Sequence, residues 1–216
     1  SIKRKIELKY PETNTAKPQT EYQDDIFKEK KKPKEETEET ANKMPFTAIL
    51  VNTLNFVTLL KELKAAKQIS LDTETDSPEP MLANLVGISF CVDEKKAYYL
   101  PLGHQLADNL PLKEVLHHLE DTLKGKLLLG HNLKFDLIVL ARNGLDLDYP
   151  LFDTMLAAYI LDPGTLHYSL ETCALNELNY KMIPISDLIG KGKNQSTFDL
   201  VEPEKACIYS AEDAWV

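Results

Sequence analysis

Ile69-Ser-Leu-Asp-Thr-Glu74 alternates apolar and polar residues in the manner of a half-buried strand, with Ile69 and Leu71 on one face and Asp72 and Glu74 on the other. Two carboxylates on one strand face repel unless water or a cation separates them. With 34 acidic residues in 216, chance alone supplies about five acid-x-acid triplets, so the pair carries little weight by itself. Its position at the end of an apolar run makes it a candidate metal-binding element at a sheet.

The elements on either side build a sheet around this stretch. Upstream, Thr47–Val51 reads as a short strand, followed by a helix from about Asn52 to Lys67 in which Leu54, Val57, Leu60 and Leu63 recur at helical spacing. Downstream, Leu85–Val92 and Ala97–Leu100 read as strands joined by the turn Asp93-Glu-Lys-Lys96. Pro111 opens a helix to about Leu123, and Lys126–Leu129 is a short buried strand. Asn132 stands where it can cap a helix running to Arg142, which Asn143-Gly144 ends. Helices over Asp153–Leu161, Ser169–Leu178 and from Pro203 onward complete the chain. Strands first and helices packed on them predict an α/β domain with a mixed sheet.

Residues 1–45 differ from the rest. Pro11, Pro18 and Pro33 interrupt a polar stretch with 11 Lys and Arg against 10 Asp and Glu, which leaves 14 against 24 in residues 46–216. The first part cannot bury enough apolar surface to offset its ordering entropy and is expected to be a flexible charged linker. Residues 46–216 are long enough for one globular domain. No apolar run approaches the roughly 18–20 residues that span a bilayer, and Ser1-Ile-Lys-Arg-Lys lacks the apolar segment of a signal peptide. The expectation is a soluble cytoplasmic monomer with no membrane partner. A start at Ser1 and a stop at Trp215-Val216 without a helix-ending signal suggest a piece of a longer polypeptide. Cys91, Cys173 and Cys207 are scattered among apolar neighbours, as buried thiols would be, and no histidine has ligand spacing with them. The net charge of −9 opposes independent nucleic-acid binding unless bound cations invert the local field.

Asp136 lies on a helical stripe with Leu133, Leu137 and Leu140, a surface that ordinarily excludes an ionised group. Either it serves a site, or it is an edge charge held by Lys134 or Arg142. Tyr209 and Asp213 stand four apart and share a helix face, while Glu212 falls on another face and is expected to be solvated. Asp153, directly before a helical pattern, reads as an N-cap. His131 lies beside Asn132, near any site there. Gly190-Lys-Gly-Lys-Asn-Gln195, followed by Phe198, is either a phosphate-contacting loop with a stacking ring or a loop that Phe198 anchors in the core.

Six motifs, Leu71-Asp-Thr-Glu-Thr-Asp-Ser77, Ala83–Phe90, His131-Asn-Leu-Lys-Phe-Asp136, Phe152-Asp-Thr-Met-Leu156, Gly190–Gln195 and Tyr209-Ser-Ala-Glu-Asp-Ala214, together resemble the 3′→5′ exonuclease domain of bacterial DNA polymerase I. That group belongs to the DEDD exonucleases, in the tyrosine variant, on a ribonuclease H-like fold. The resemblance implies that Asp72, Glu74 and Asp213 hold one divalent cation, and that Asp72 and, through water, Asp136 serve a second. Mg²⁺ is the first choice, with Mn²⁺ or Zn²⁺ as alternatives. It further implies that Tyr209 and Glu74 position the attacking water, and that Asn132, Lys191, Lys193 and Gln195 meet the substrate, a single-stranded or frayed 3′ end of DNA. Polymerase and 5′ nuclease domains of the same longer chain are the implied partners. Pro78 stands where the family often has a leucine wedge, with Met81 or Leu82 as its candidate replacement. An RNA-trimming exonuclease of the same superfamily, or a catalytically silent spacer domain, are the alternative readings.

Overall fold

Six strands form one sheet in the order β1-β4-β3-β2-β5-β6. They are β1 (Thr47–Leu50), β2 (Gln68–Thr75), β3 (Leu85–Asp93), β4 (Lys96–Pro101), β5 (Leu127–Gly130) and β6 (Leu151–Asp153). The computed structural model describes residues 44–147, 150–164 and 166–216, so the expected linker, apart from Met44 and Pro45, lies outside the described residues. β3 runs antiparallel to β2 and β4, and the pairs β1–β4, β2–β5 and β5–β6 are parallel. The mixed sheet expected from the order of elements is therefore present. Leu85 to Cys91 are all buried, because the central strand is covered on both faces.

One face carries α1 (Phe56–Ala65), α2 (Leu112–Leu123) and α3 (Leu133–Arg142). Leu59, Leu63, Leu119, Leu123, Leu133 and Leu140 pack there with Ile69, Leu71, Ile88 and Phe90 in one core. Each fully buried side chain of this kind contributes roughly 1.5–3 kcal/mol. The other face is covered by α7 (Pro203–Trp215). Its Ala206 and Cys207 meet Val86 and Tyr99, and its Ala211 and Ala214 meet Cys91 and Ala97. Small side chains bring this helix axis close to the strands, which places its polar residues within reach of β2. Between α3 and α7 in the chain come α4 (Thr154–Leu161), α5 (Leu170–Leu178) and the short α6 (Ser186–Ile189), the last packed on the α7 side through Leu188 and Ile189.

Several expectations need correction. The first helix begins at Phe56, because the Asn52 side chain accepts from the backbone of Leu54 and Asn55 and holds a turn there. Its buried stripe is consequently Leu59 and Leu63, and Leu54 is 91% exposed. β6 and α6 were not anticipated; both are too short to show a period. Asn132 sits at the N-cap position of α3 in the left-handed region, φ 61°, and its side chain caps nothing. Asp153 performs that function instead. It caps its own helix through Met155 N and Leu156 N, and it also accepts from Asn132 N and Leu133 N at 3.2 and 2.9 Å. The parallel pairing of Gly130 with Asp153 brings both helix starts to one edge. Asp153→Ala should therefore cost roughly 1–4 kcal/mol, twice a single cap, in urea unfolding. Asp153→Asn should recover part, since an amide has one acceptor oxygen. Cys91 and Cys207 are buried as expected, whereas Cys173 is half-buried.

Candidate active site

The strand alternation read from Ile69–Glu74 is realised: Ile69 and Leu71 are in the core, and Asp72 and Glu74 project toward α7. Opposite them in β3 stand Ser89 and Gly87, two small residues that leave room for the carboxylates. A Cβ on Gly87 would lie 2.2 Å from the Tyr99 hydroxyl, so glycine is required for that ring to cross beside Glu74. From α7 come Tyr209, Ser210 and Asp213. Carboxylate oxygens of Asp72, Glu74 and Asp213 lie within 4.8 Å of one another, with Glu74 buried and the other two half-buried. Glu74 also accepts a 2.6 Å hydrogen bond from the buried Ser210 hydroxyl.

Asp136 joins from α3. It is 3% exposed, and its Oδ1 accepts from Thr73 N at 2.9 Å and Thr73 Oγ1 at 2.6 Å. Thr73, between the two strand acids, thus ties α3 to β2. The edge-charge alternative for Asp136 fails: Arg142 donates instead to the carbonyls of Pro80 and Ala83, at 3.0 and 2.6 Å.

Concentrated negative charge dominates the electrostatics. Burial, followed by the charges of Asp136, Glu74 and Asp213, pushes the Asp72 carboxyl well up. Burial raises Glu74 to about 7, against the opposing pull of the Ser210 hydrogen bond. Asp136 is raised by burial to about 6, with Thr73 pulling it back. Asp213 is pushed well up by burial and by Glu74, while the adjacent Tyr209 phenol favours its charged form. Burial and then the charges of Asp213, Glu74 and Asp72 drive the Tyr209 phenol upward. Tyr209 is therefore a neutral donor that can orient a water rather than a base. Three converging oxygen donors, costly to ionise together, fit a hard divalent cation that would neutralise them.

The remaining expected residues are not brought into this cluster. Lys191, Lys193 and Gln195 are exposed on a loop whose base is closed by Ser196 N bonding Ile189 O at 2.8 Å. Phe198 is 4% exposed and packs near Tyr209 and His104, so the core-anchor alternative holds for that ring. Met81 and Leu82 are 64% and 75% exposed on the β2–β3 connection. His131 bonds Tyr168 O at 2.7 Å and Thr154 Oγ1 at 2.9 Å. With Asp213, Phe152, Tyr168 and Trp215 it lines a groove of about 910 Å³ beside the acids. Glu212 is not solvated: it is 2% exposed and accepts from Tyr180 Oη and Ile183 N, both at 2.7 Å. Sequence reasoning missed Thr73 and Ser210, although both lie inside the quoted motifs.

The mixed sheet, with carboxylates from the interior strand β2 and from α7 converging on one of its faces, is the arrangement that the resemblance to an exonuclease domain implies. The chain belongs to the 3′-5′ exonuclease family, whose sequence profile matches residues 52–216. It is 36% identical over 173 residues to DNA polymerase I of Pseudomonas aeruginosa, covering 77% of this chain and 19% of that one. It is 35% identical over 184 residues to DNA polymerase I of Chloroflexus aurantiacus, covering 83% and 19%. The chain thus spans about a fifth of the length of these relatives. Among solved structures it resembles the Nibbler EXO domain of Aedes aegypti, with a TM-score of 0.58 at 13% identity over 77% of this chain and 81% of that one. Escherichia coli RNase D, an exoribonuclease involved in structured RNA processing, gives 0.57 at 19% identity over 80% and 42%. Brucella melitensis NrnC with bound Mg²⁺ gives 0.54 at 18% over 77% and 72%. At these identities the three structures speak for the fold alone.

Proposed function

We propose that residues 46–216 are the proofreading domain of a DNA polymerase I, removing nucleoside monophosphates one at a time from single-stranded or frayed 3′ ends of DNA. The observation that carries this reading is the convergence of Asp72, Glu74 and Asp213, with Asp136 tied in through Thr73. Asp72, Glu74 and Asp213 would hold one divalent cation, and Asp72 with Asp136 would serve a second, Mg²⁺ being the proposed metal. Two such ions supply the Lewis acidity that a phosphodiester dianion-like transition state requires. The chain's own part is positional. In the loaded site the Tyr209 hydroxyl would donate to the attacking water and Glu74 would accept from it, so that the two residues together orient that water. Lys191 and Lys193 would meet phosphates and Gln195 and Asn132 the terminal nucleotides, while Met81 or Leu82 would stand beside the last base in place of the leucine wedge.

The sequence relatives are polymerases many times longer than the domain, so polymerase and upstream 5′ nuclease domains in the same chain are the proposed partners, with residues 1–45 as the connector. The domain is proposed to act as a monomer in the bacterial cytoplasm. Among the described residues no helix is long and apolar enough to cross a membrane.

The test is a comparison of DNA and RNA oligonucleotides of one sequence incubated with Mg²⁺. Deoxynucleoside monophosphates should be released stepwise from the 3′ end, with RNA shortened at least about tenfold more slowly, the cost of burying its additional 2′-hydroxyl without a partner. Equal or faster shortening of RNA would reject DNA as the substrate.

A further inference from the structure

Ser210 has no exposed surface, and its hydroxyl donates to Glu74 Oε1 at 2.6 Å across 136 residues of sequence. A buried hydroxyl must find an acceptor. Here the acceptor is a carboxylate, and an O–H···O⁻ contact in a water-poor setting is short and strong. Competing donors nearby are already engaged. The Tyr99 hydroxyl is paired with His104 Nε2 at 2.7 Å, and Thr73 gives both its N–H and its hydroxyl to Asp136. Glu74 has an aromatic wall on the Gly87 side, where the Tyr99 ring fills the space, and on the α7 side the Ser210 hydroxyl as its polar tether.

A glutamate has three side-chain torsions and needs such a tether to keep its carboxylate in one place, because the neighbouring acids repel it. We infer that Ser210 is a positioning residue for the acid cluster: by holding Oε1 of Glu74 it keeps the side chain in the rotamer in which the three carboxylates converge. The inference rests on the cation-dependent nuclease reading proposed above. It also explains the spacing within Tyr209-Ser-Ala-Glu-Asp213. Ser210 is three residues before Asp213, so one turn of α7 delivers a metal ligand and the anchor of another ligand to the same strand.

The experiment is a Mn²⁺ titration, followed by electron paramagnetic resonance, of the 216-residue chain and of Ser210→Ala, Glu74→Ala and the double variant. Ser210→Ala should weaken Mn²⁺ binding about tenfold, the scale set by one hydrogen bond to a charged group. It should also lower kcat by a similar factor while leaving KM for a DNA oligonucleotide within about twofold. In the Glu74→Ala background the same substitution should change Mn²⁺ affinity by less than about twofold, since an anchor has no effect once its ligand is gone. Ser210→Cys, which keeps a weak donor, should fall between wild type and Ser210→Ala. Wild-type affinity in Ser210→Ala, or an equal loss with and without Glu74, overturns the inference while leaving the nuclease reading intact. A wild-type chain with no saturable Mn²⁺ uptake overturns both.

Discussion

Asp72→Asn will abolish Mg²⁺-dependent 3′ digestion, by about 10³-fold or more, and will raise the melting temperature of the cation-free protein. Both effects have one cause. Asp72 sits with oxygens of Glu74 and Asp213 inside 4.8 Å, and its carboxyl is pushed up first by burial and then by Asp136, Glu74 and Asp213. Without a cation, ionising it costs stability; with one, the same charge is the ligand. Asparagine keeps the shape and removes the charge, so the repulsion disappears together with the metal affinity. Losing several kcal/mol of cation-derived transition-state stabilisation corresponds to the stated rate loss. Relief of about 1–3 kcal/mol of buried repulsion raises the melting temperature of a domain this size by roughly 2–10 °C. Asp121→Asn, exposed on α2, should change neither property. An active Asp72→Asn protein would sink the assignment. One that is inactive because it unfolds at lower temperature would show that Asp72 is structural. Asp213→Ala should behave as Asp72→Asn does in the digestion assay.

The two levels at which this molecule could be read from sequence separate cleanly at particular residues. Local period revealed the acid-bearing strand, because alternation in Ile69–Glu74 is a property of six adjacent residues. The helical stripe of Asp136 was legible for the same reason, but its true partner, Thr73, is 63 residues away and leaves no local trace. Glu212 was misjudged on that ground. A helical wheel turns it away from Asp213 and toward presumed solvent, yet α7 has the sheet on one side and the Tyr180–Ile183 segment on the other. Asp153 was recognised as the cap of its own helix and not of α3, since the second function exists only because β5 and β6 are parallel neighbours. β6 itself has three residues, fewer than any period needs. In each case what stayed hidden was a contact made by topology rather than by spacing.

Divalent cations should stabilise this domain more at pH 8 than at pH 5, and the cation-free domain should be less stable at pH 8 than at pH 5. The sign follows from the direction of the shifts. Glu74 is raised from its ordinary 4.5 to about 7, and Asp136 from 3.8 to about 6. Between the ordinary and the raised values the folded state holds protons that the unfolded state has already released, so stability falls as pH rises through that window. The contribution is fully present below about pH 4 and gone above about pH 7. For Glu74 alone it is on the order of 3 kcal/mol, at about 1.4 kcal/mol for each tenfold in proton affinity. Cations reverse the trend, because they bind the ionised carboxylates and compete with the same protons. Their stabilisation grows as the logarithm of concentration over the dissociation constant, and that constant improves as the acids ionise. Tyr209, driven upward by burial and by the charges of Asp213, Glu74 and Asp72, stays protonated throughout and contributes no slope of its own. Thermal melts at pH 5, 6.5 and 8, each with chelator and with excess Mn²⁺, should give a Mn²⁺ increment that rises at every step. Burial lowers His104 and His131, which adds a smaller slope of the opposite sign, so the chelated melts are compared with those of Glu74→Gln, in which the fall between pH 5 and pH 8 should shrink. Equal increments at all three values would mean that the cation binds away from Glu74 and Asp136, and an unchanged fall in Glu74→Gln would mean that this acid is not its source.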